Sequence, residues 1–168
     1  MSNLIVEDGT GIVNANTYVD IDYVKSYLTS RVANLPSDAE LERHIVLACD
    51  FIESINRFSG TPTNAMQPLQ FPRSHVYVAG ATVDPATVPE PVKRAQAQLV
   101  LDTVLSGKPL MSASTAYALK RRTLGPLTME YATGSGKVNT PVTEPHPRFW
   151  SLISPYLNGG TSGGGVIR

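Results

Sequence analysis

Charge is scarce in this chain, and what there is cancels. Asp, Glu, Lys and Arg make up 17% of the 168 residues, with 14 of each sign and a formal net charge of zero. A typical globular domain is about a quarter charged. A protein whose main partner is nucleic acid usually carries a visible positive excess, because affinity comes mostly from neutralising phosphates. That excess is absent globally, which leaves only a local patch for such a role. Zero net charge also removes self-repulsion and so tolerates assembly. Cysteine occurs once, at Cys49, which excludes an intramolecular disulfide and implies no oxidising compartment. Aromatic residues are 7% of the chain, few for a protein that stacks on bases. No run approaches the roughly 18 consecutive apolar residues of a membrane span. The opening MSNLIVEDG lacks the basic-then-apolar order of a signal peptide. The expectation is a soluble protein made in a cytosol, with no membrane partner.

Glycine and proline, by contrast, are plentiful, at 13 each, so much of the surface is uncharged loop. A chain of this length is usually one domain plus tails and can bury a core without staples. Residues 3–19 hold two apolar runs around Asp8-Gly9-Thr10-Gly11, which reads as an extended arm with a turn or small hairpin. Asp20 is placed to cap a helix reaching about Arg31, with Ile21, Val24, Tyr27, Leu28 and Val32 on one stripe. Ser37-Asp38-Ala39-Glu40 is a capping box. The helix it opens should run to about Phe58 on Leu41, Ile45, Ala48, Ile52 and Ile55, with Glu42, Arg43, Asp50 and Glu53 on the solvated face.

Residues 60–90 carry five prolines. A loop this long is usually functional or pinned by contacts of its own. Pro89-Glu90-Pro91 suits a helix start, and Val92, Ala95, Leu99, Leu101, Val104 and Leu105 give it a broad apolar face up to Gly107. A weaker helical piece is expected over Ser112–Leu119. Leu127, Met129 and Tyr131 alternate with polar residues, the mark of a half-buried strand. Gly125-Pro126 interrupts the run, which implies a bent strand or open hairpin. Arg148–Leu157 reads as a short helix. The predicted fold is mainly α: a small bundle of about four helices, a short β-strand or hairpin element, and extended N- and C-terminal arms. We expect one domain over residues 1–158, with the arm at 1–19, a helical core at 20–119, the β element at 120–132 and a loop and short helix at 133–158. Residues 159–168 form a glycine-rich flexible tail.

Candidate catalytic motifs fail one by one. The stretch ATGSGKV suggests a phosphate-binding loop, but that motif needs a glycine where Tyr131 stands and a hydroxyl where Val138 stands. His44, His75 and His146 have no partners at metal-ligand spacing. His44 lies at the polar edge of its helix, where solvation is the default. Cys49 borders a buried stripe and reads as an inert core thiol. Asp20 is explained as a cap, and Asp50 with Glu53 as solvated helix charges. An enzyme is therefore not expected, and no cofactor or metal is called for.

Two features remain. Lys120-Arg121-Arg122 is the one dense basic cluster, either a solvated strand end or a phosphate-facing patch. In a ring, one such cluster per subunit becomes a positive collar. The terminus GGTSGGGVIR is either a flexible end or a tether. As a tether it would deliver Val166, Ile167 and Arg168 as a strand to a partner's sheet edge.

Val6-Glu7-Asp8-Gly9-Thr10-Gly11, Asn14-Ala15-Asn16-Thr17-Tyr18-Val19 and a helix with paired tyrosines open the chain. Gln70-Phe71-Pro72-Arg73, Val88-Pro89 with Val92-Lys93-Arg94-Ala95, and Leu124-Gly125-Pro126-Leu127 with Glu130-Tyr131 follow, and then the glycine tract with its apolar-plus-Arg tip. This ordered set, spanning nearly the whole chain, resembles the head–tail connector (adaptor, or head-completion) family of tailed phages. The same sequences are often labelled DnaT-like single-stranded DNA-binding. The resemblance implies a helical domain with a small β element, in a homo-oligomeric ring matching the portal's twelve-fold symmetry. The ring would lie in the virion neck, bind the portal protein above and a neck or tail-completion protein below, and pass packaged double-stranded DNA without reading its sequence. It implies portal contacts for Val166, Ile167 and Arg168, and channel lining for Lys120, Arg121 and Arg122. The alternative is a single-stranded DNA-binding, primosome-like replication protein, which would want a basic groove with stacking aromatics.

Overall fold

A computed structural model describes residues 3–108, 110, 122–124, 127–129 and 146–158. The chain divides into two units, Met1–Leu110 with His146–Arg168, and Met111–Pro145. Four helices carry the first unit: α1 Ile21–Thr29, α2 Asp38–Glu53, α3 Glu90–Ser106 and α4 Pro147–Ile153, the last continued by a 3-10 turn at Ser154–Tyr156. The mainly-α expectation holds.

The helix starts follow the sequence signals. The Asp20 carboxylate accepts the Tyr23 N–H at 2.7 Å and caps α1. Glu40 accepts the Ser37 N–H at 3.1 Å, its half of the capping box of α2. α3 begins after Pro89, carries Pro91 in its first turn, and ends on Gly107 in the left-handed conformation at φ 62°, a region open to glycine at little cost. α3 is the central helix and packs against α1, α2 and α4. It is buried almost all round, with Val92, Ala95, Gln96, Ala97, Leu99 and Val100 shielded from solvent. Its predicted apolar face is therefore only part of what it buries.

α2 stops at Glu53, five residues before the expected Phe58. The Ser54 hydroxyl donates to the Phe51 carbonyl and closes the helix end. The chain then turns so that Phe58 bridges to Leu157 and stacks edge-on against Phe71, with centroids 5.1 Å apart. Burying Phe58 between two other segments wins over one further helical turn.

The irregular stretch between α2 and α3 forms two short antiparallel pairs, β1 Thr61–Pro62 with β2 Arg73–Ser74, and β3 Tyr77–Val78 with β4 Ala81–Thr82. It is pinned by its own contacts, as expected of a long loop in a compact domain. Phe71 sits in its middle, 1% exposed, edge-on to Tyr18, Phe58 and Tyr156. The Phe71–Pro72 peptide is cis.

The N-terminal arm folds back on itself. Val6 bridges Thr17 in parallel, not antiparallel as in a hairpin, and Asn16 donates its backbone N–H to the Ile5 carbonyl at 2.9 Å. The reason lies in Glu7, which is 1% exposed. Its carboxylate accepts the backbone N–H groups of Gly9, Gly11 and Ile12, each at 2.8 Å, so the turn winds around the carboxylate instead of pairing two strands.

In the second unit, β5 Arg122–Leu124 pairs antiparallel with β6 Leu127–Met129, Thr123 opposite Thr128. This is the hairpin that the interrupted alternation implied. The expected helical piece over Ser112–Leu119 lies outside the described residues. Among the described residues, no helix is long and apolar enough to cross a membrane.

Candidate functional site

Besides the Glu7 turn, three polar networks tie together distant segments of the first unit. Gln96, fully buried in α3, accepts the Tyr18 backbone N–H at 3.0 Å. Its amide donates to Thr17 Oγ1 and to the Ile45 carbonyl, both at 2.9 Å. One glutamine thus ties the N-terminal arm, α2 and α3 together with every bond satisfied. Arg73, 7% exposed, uses all three guanidinium nitrogens on oxygens. Nε donates to the Ser59 carbonyl at 2.8 Å, Nη1 to Gln70 Oε1 at 2.8 Å and Nη2 to the Gly60 carbonyl at 2.8 Å. The third network contains Glu53. Its carboxylate accepts the Tyr18 hydroxyl and, at 2.8 Å, the Gln70 N–H.

Glu53 corrects an expectation. It was placed on a solvated helix face, but the loop after α2 folds over it. Burial pushes its carboxyl up from the ordinary 4.5 to about 7, against the opposing pull of Tyr18, Gln70 and Arg73. Helical periodicity cannot register a loop that returns onto the helix from residues 60–90. Cys49 is buried as expected, 1% exposed, and burial raises its thiol far above the reactive range. His44 departs from the solvated default, because it is partly buried, its Nδ1 has no hydrogen-bond partner among the described residues, and burial lowers its pKa. His146 pairs through Nδ1 with Asp102 Oδ2 at 2.8 Å, an interaction that anchors the start of α4 onto α3. Among the described residues, no group of three or more His, Cys, Asp or Glu side chains could hold a metal ion.

Two of the surface grooves formed by the described residues bear on function. The first, about 470 Å³, is lined by Tyr23, Ser26, Tyr27, Arg31, Glu90, Arg94, Arg148 and Leu152. Three helices each contribute a row at helical spacing: Tyr23, Ser26 and Tyr27 from α1, Glu90 and Arg94 from α3, and Arg148 and Leu152 from α4. Residues three or four apart share a helix face, which is why each row points the same way. Arg31 lies with its guanidinium 3.8 Å from the centre of the Tyr27 ring. Glu90 Oε1 accepts the Tyr23 hydroxyl at 2.8 Å and Arg94 Nε at 3.1 Å. Burial and then Glu90 push the Tyr23 phenol up to about 12, so it is a neutral hydrogen-bond donor.

The second groove, about 510 Å³, runs between α2 and the end of α3. Pro36, Leu47, Val104 and Leu110 supply its apolar walls, and Glu40, Arg43, His44 and Lys108 its polar ones. Leu47, in its wall, is 48% exposed.

Of the residues singled out from sequence, Lys120 and Arg121 lie outside the described residues, as do Val166, Ile167 and Arg168. Arg122 opens β5, and its backbone alone is described. Sequence reading missed the arginine groove, whose members are scattered over residues 23–152. The available signal was the spacing Tyr23-Tyr27, Glu90-Arg94 and Arg148-Leu152, but nothing in it says that the three rows face one another.

A search of the curated proteins and a search of the solved structures each return no match. A family model does match, over residues 2–168. With essentially its whole length covered, the chain belongs to the family described as "Putative DnaT-like ssDNA binding protein".

Proposed function

We propose that this protein is a head–tail connector of a tailed phage. Copies of the chain form a ring, dodecameric to match the portal, that extends the DNA channel and joins the capsid to the neck or tail. The observation that supports this reading is the character of the described surface. Of the ten described aromatic side chains, Tyr77 alone is exposed, and the rest are buried or partly buried. What is left bare is aliphatic: Leu47, Leu105, Val13 and Met66 are between 48% and 79% exposed. Aliphatic patches beside a groove suit protein–protein contact, whereas single-strand binding draws on exposed ring faces. The groove between α2 and α3, with Leu47 bare in its wall, is the face we assign to a neighbouring copy. The chain acts by assembly, many weak symmetric contacts adding through effective concentration. The glycine tail carries Val166, Ile167 and Arg168 to the portal, and Lys120, Arg121 and Arg122 face the channel.

The test is assembly on portal-bearing heads. Full-length protein should give a ring at the vertex by electron microscopy, and removing residues 159–168 should abolish attachment while leaving the thermal melt unchanged. A double Leu47→Glu, Leu105→Glu variant should fold and fail to close the ring. If truncated protein still completes infectious particles, the connector reading is wrong.

The family description favours a second reading, single-stranded DNA binding. Its mark would be a strong preference for single strand over duplex by the isolated chain, weakening steeply with salt.

A further inference from the structure

We propose that the groove between α1, α3 and α4 is a site for the phosphodiester backbone of DNA. The proposal adds a location to the connector reading and rests on that reading only for the claim that duplex is the form met in the particle. The argument is one of unspent charge. Three arginines and one glutamate line the groove, a surplus of two positive charges on a chain whose net charge is zero. Arg148 is exposed and has no hydrogen bond or ion pair among the described residues. Arg31 is exposed and, among the described residues, pairs with no carboxylate; its Nη1 donates to the Tyr27 carbonyl and the Ser30 hydroxyl. Arg94 meets Glu90 through Nε and also interacts with the Tyr23 hydroxyl, yet its side chain is 58% exposed, so its charge still faces solvent. An exposed pair of that kind contributes about 0–1 kcal/mol, so it holds Arg94 in place without using up its charge.

Guanidinium groups match phosphate oxygens in a fork, and Ser and Tyr hydroxyls commonly add to phosphate contacts. Ser26 is exposed in the same groove. The aromatic side chains there decide the mode of binding. Tyr27 has its ring covered by Arg31 at 3.8 Å, and Tyr23 is partly buried with its hydroxyl committed to Glu90. Neither offers a free face on which a base could stack. The groove is therefore built to meet the backbone by charge and not to read or stack bases, which fits duplex at least as well as single strand.

The test uses the full chain, a fluorescein-labelled duplex and the same sequence single-stranded, titrated by anisotropy. With three phosphates neutralised, duplex affinity should fall about 40-fold between about 50 and about 200 mM salt, and single-strand affinity about 20-fold. Arg31→Gln, Arg94→Gln and Arg148→Gln should each flatten the salt slope by about one and weaken both forms alike. The triple variant should lose at least about tenfold at low salt while its melting temperature stays that of the parent, since all three side chains are exposed. The proposal is overturned if the triple variant binds as the parent does, or if the parent binds neither form. It is overturned too if polyglutamate binds as tightly as DNA at the same arginines, which would make the groove an acidic-peptide site. Single-strand binding much tighter than duplex would locate binding on stacking surfaces elsewhere. The triple variant should still assemble on portal-bearing heads. DNA binding lost with assembly intact in the parent removes this proposal alone, and assembly absent with arginine-dependent DNA binding intact removes the connector alone.

Discussion

Glu53 should make the protein less stable as pH rises through the weakly acidic range. Its carboxyl is raised from 4.5 to about 7, with burial outweighing the Tyr18 hydroxyl, the Gln70 N–H and the Arg73 charge. The folded state therefore holds the Glu53 proton more tightly than the unfolded chain does. The contribution is full below 4.5, is lost as pH climbs from 4.5 through about 7, and changes no further above that. At ~1.4 kcal/mol per pH unit the interval is worth ~3 kcal/mol. Partial exposure of the side chain to water trims this to ~2 kcal/mol. Glu53→Gln keeps the shape and removes the titration. Urea unfolding followed by Trp150 fluorescence, on both proteins across this range, isolates the effect as the difference between them. That difference should move by ~2 kcal/mol, favouring wild type at the acid end. A difference independent of pH refutes the reasoning. A difference that instead favours wild type increasingly toward neutral pH would mean that the three hydrogen-bonding and charge partners outweigh burial.

Other residues give independent checks. Glu7→Ala strands the N–H groups of Gly9, Gly11 and Ile12 in a buried turn and should cost about 3 kcal/mol, with hydrogen-exchange protection of those three amides lost first. Gly9 has φ 110°, and a Cβ there would lie 2.1 Å from the Ala86 carbonyl oxygen, so Gly9→Ala should cost about 2 kcal/mol or more in chemical denaturation. Arg73→Lys keeps the charge but replaces three donor nitrogens with one, leaving buried carbonyls at Ser59, Gly60 and Gln70 short of partners; a loss of about 2–4 kcal/mol in a thermal melt is expected. Gln96→Leu should destabilise by about 2 kcal/mol, because the Tyr18 N–H and Ile45 carbonyl lose their shared partner.

The elements themselves were legible where the signal is local. Asp20, the Ser37–Glu40 box, Pro91 and Gly107 mark helix ends through bonds or backbone constraints confined to one turn, and all four act as predicted. The end of α2 was not legible, because what stops it is the demand of Phe58 for a place between Phe71 and Leu157, both distant in sequence. The apolar face of α3 is legible, but the burial of Gln96 and Gln98 beside it is not. Gln96 is buried with each polar atom bonded, and Gln98 bonds Tyr27 and Asp102. The candidate interface divides in the same way. A basic cluster contiguous in sequence, Lys120-Arg121-Arg122, is visible at once, whereas Arg31, Arg94 and Arg148 become neighbours only when three helices pack.

By itself, the sequence determined a mainly-α chain with capped helices, a bent strand or hairpin interrupted at Gly125-Pro126, an inert Cys49 and no net charge to spend. These follow from periodicity, capping and composition, which act over a few residues or over the whole chain. Tertiary structure alone decided that the turn around Glu7 would be buried, that Glu53 would be covered, and that three arginines would share one groove. Each of these depends on which distant segments meet. Burial and electrostatics then act on that meeting, raising Glu53 to about 7 and leaving the charge of Arg148 without a partner among the described residues, and no local pattern encodes either outcome.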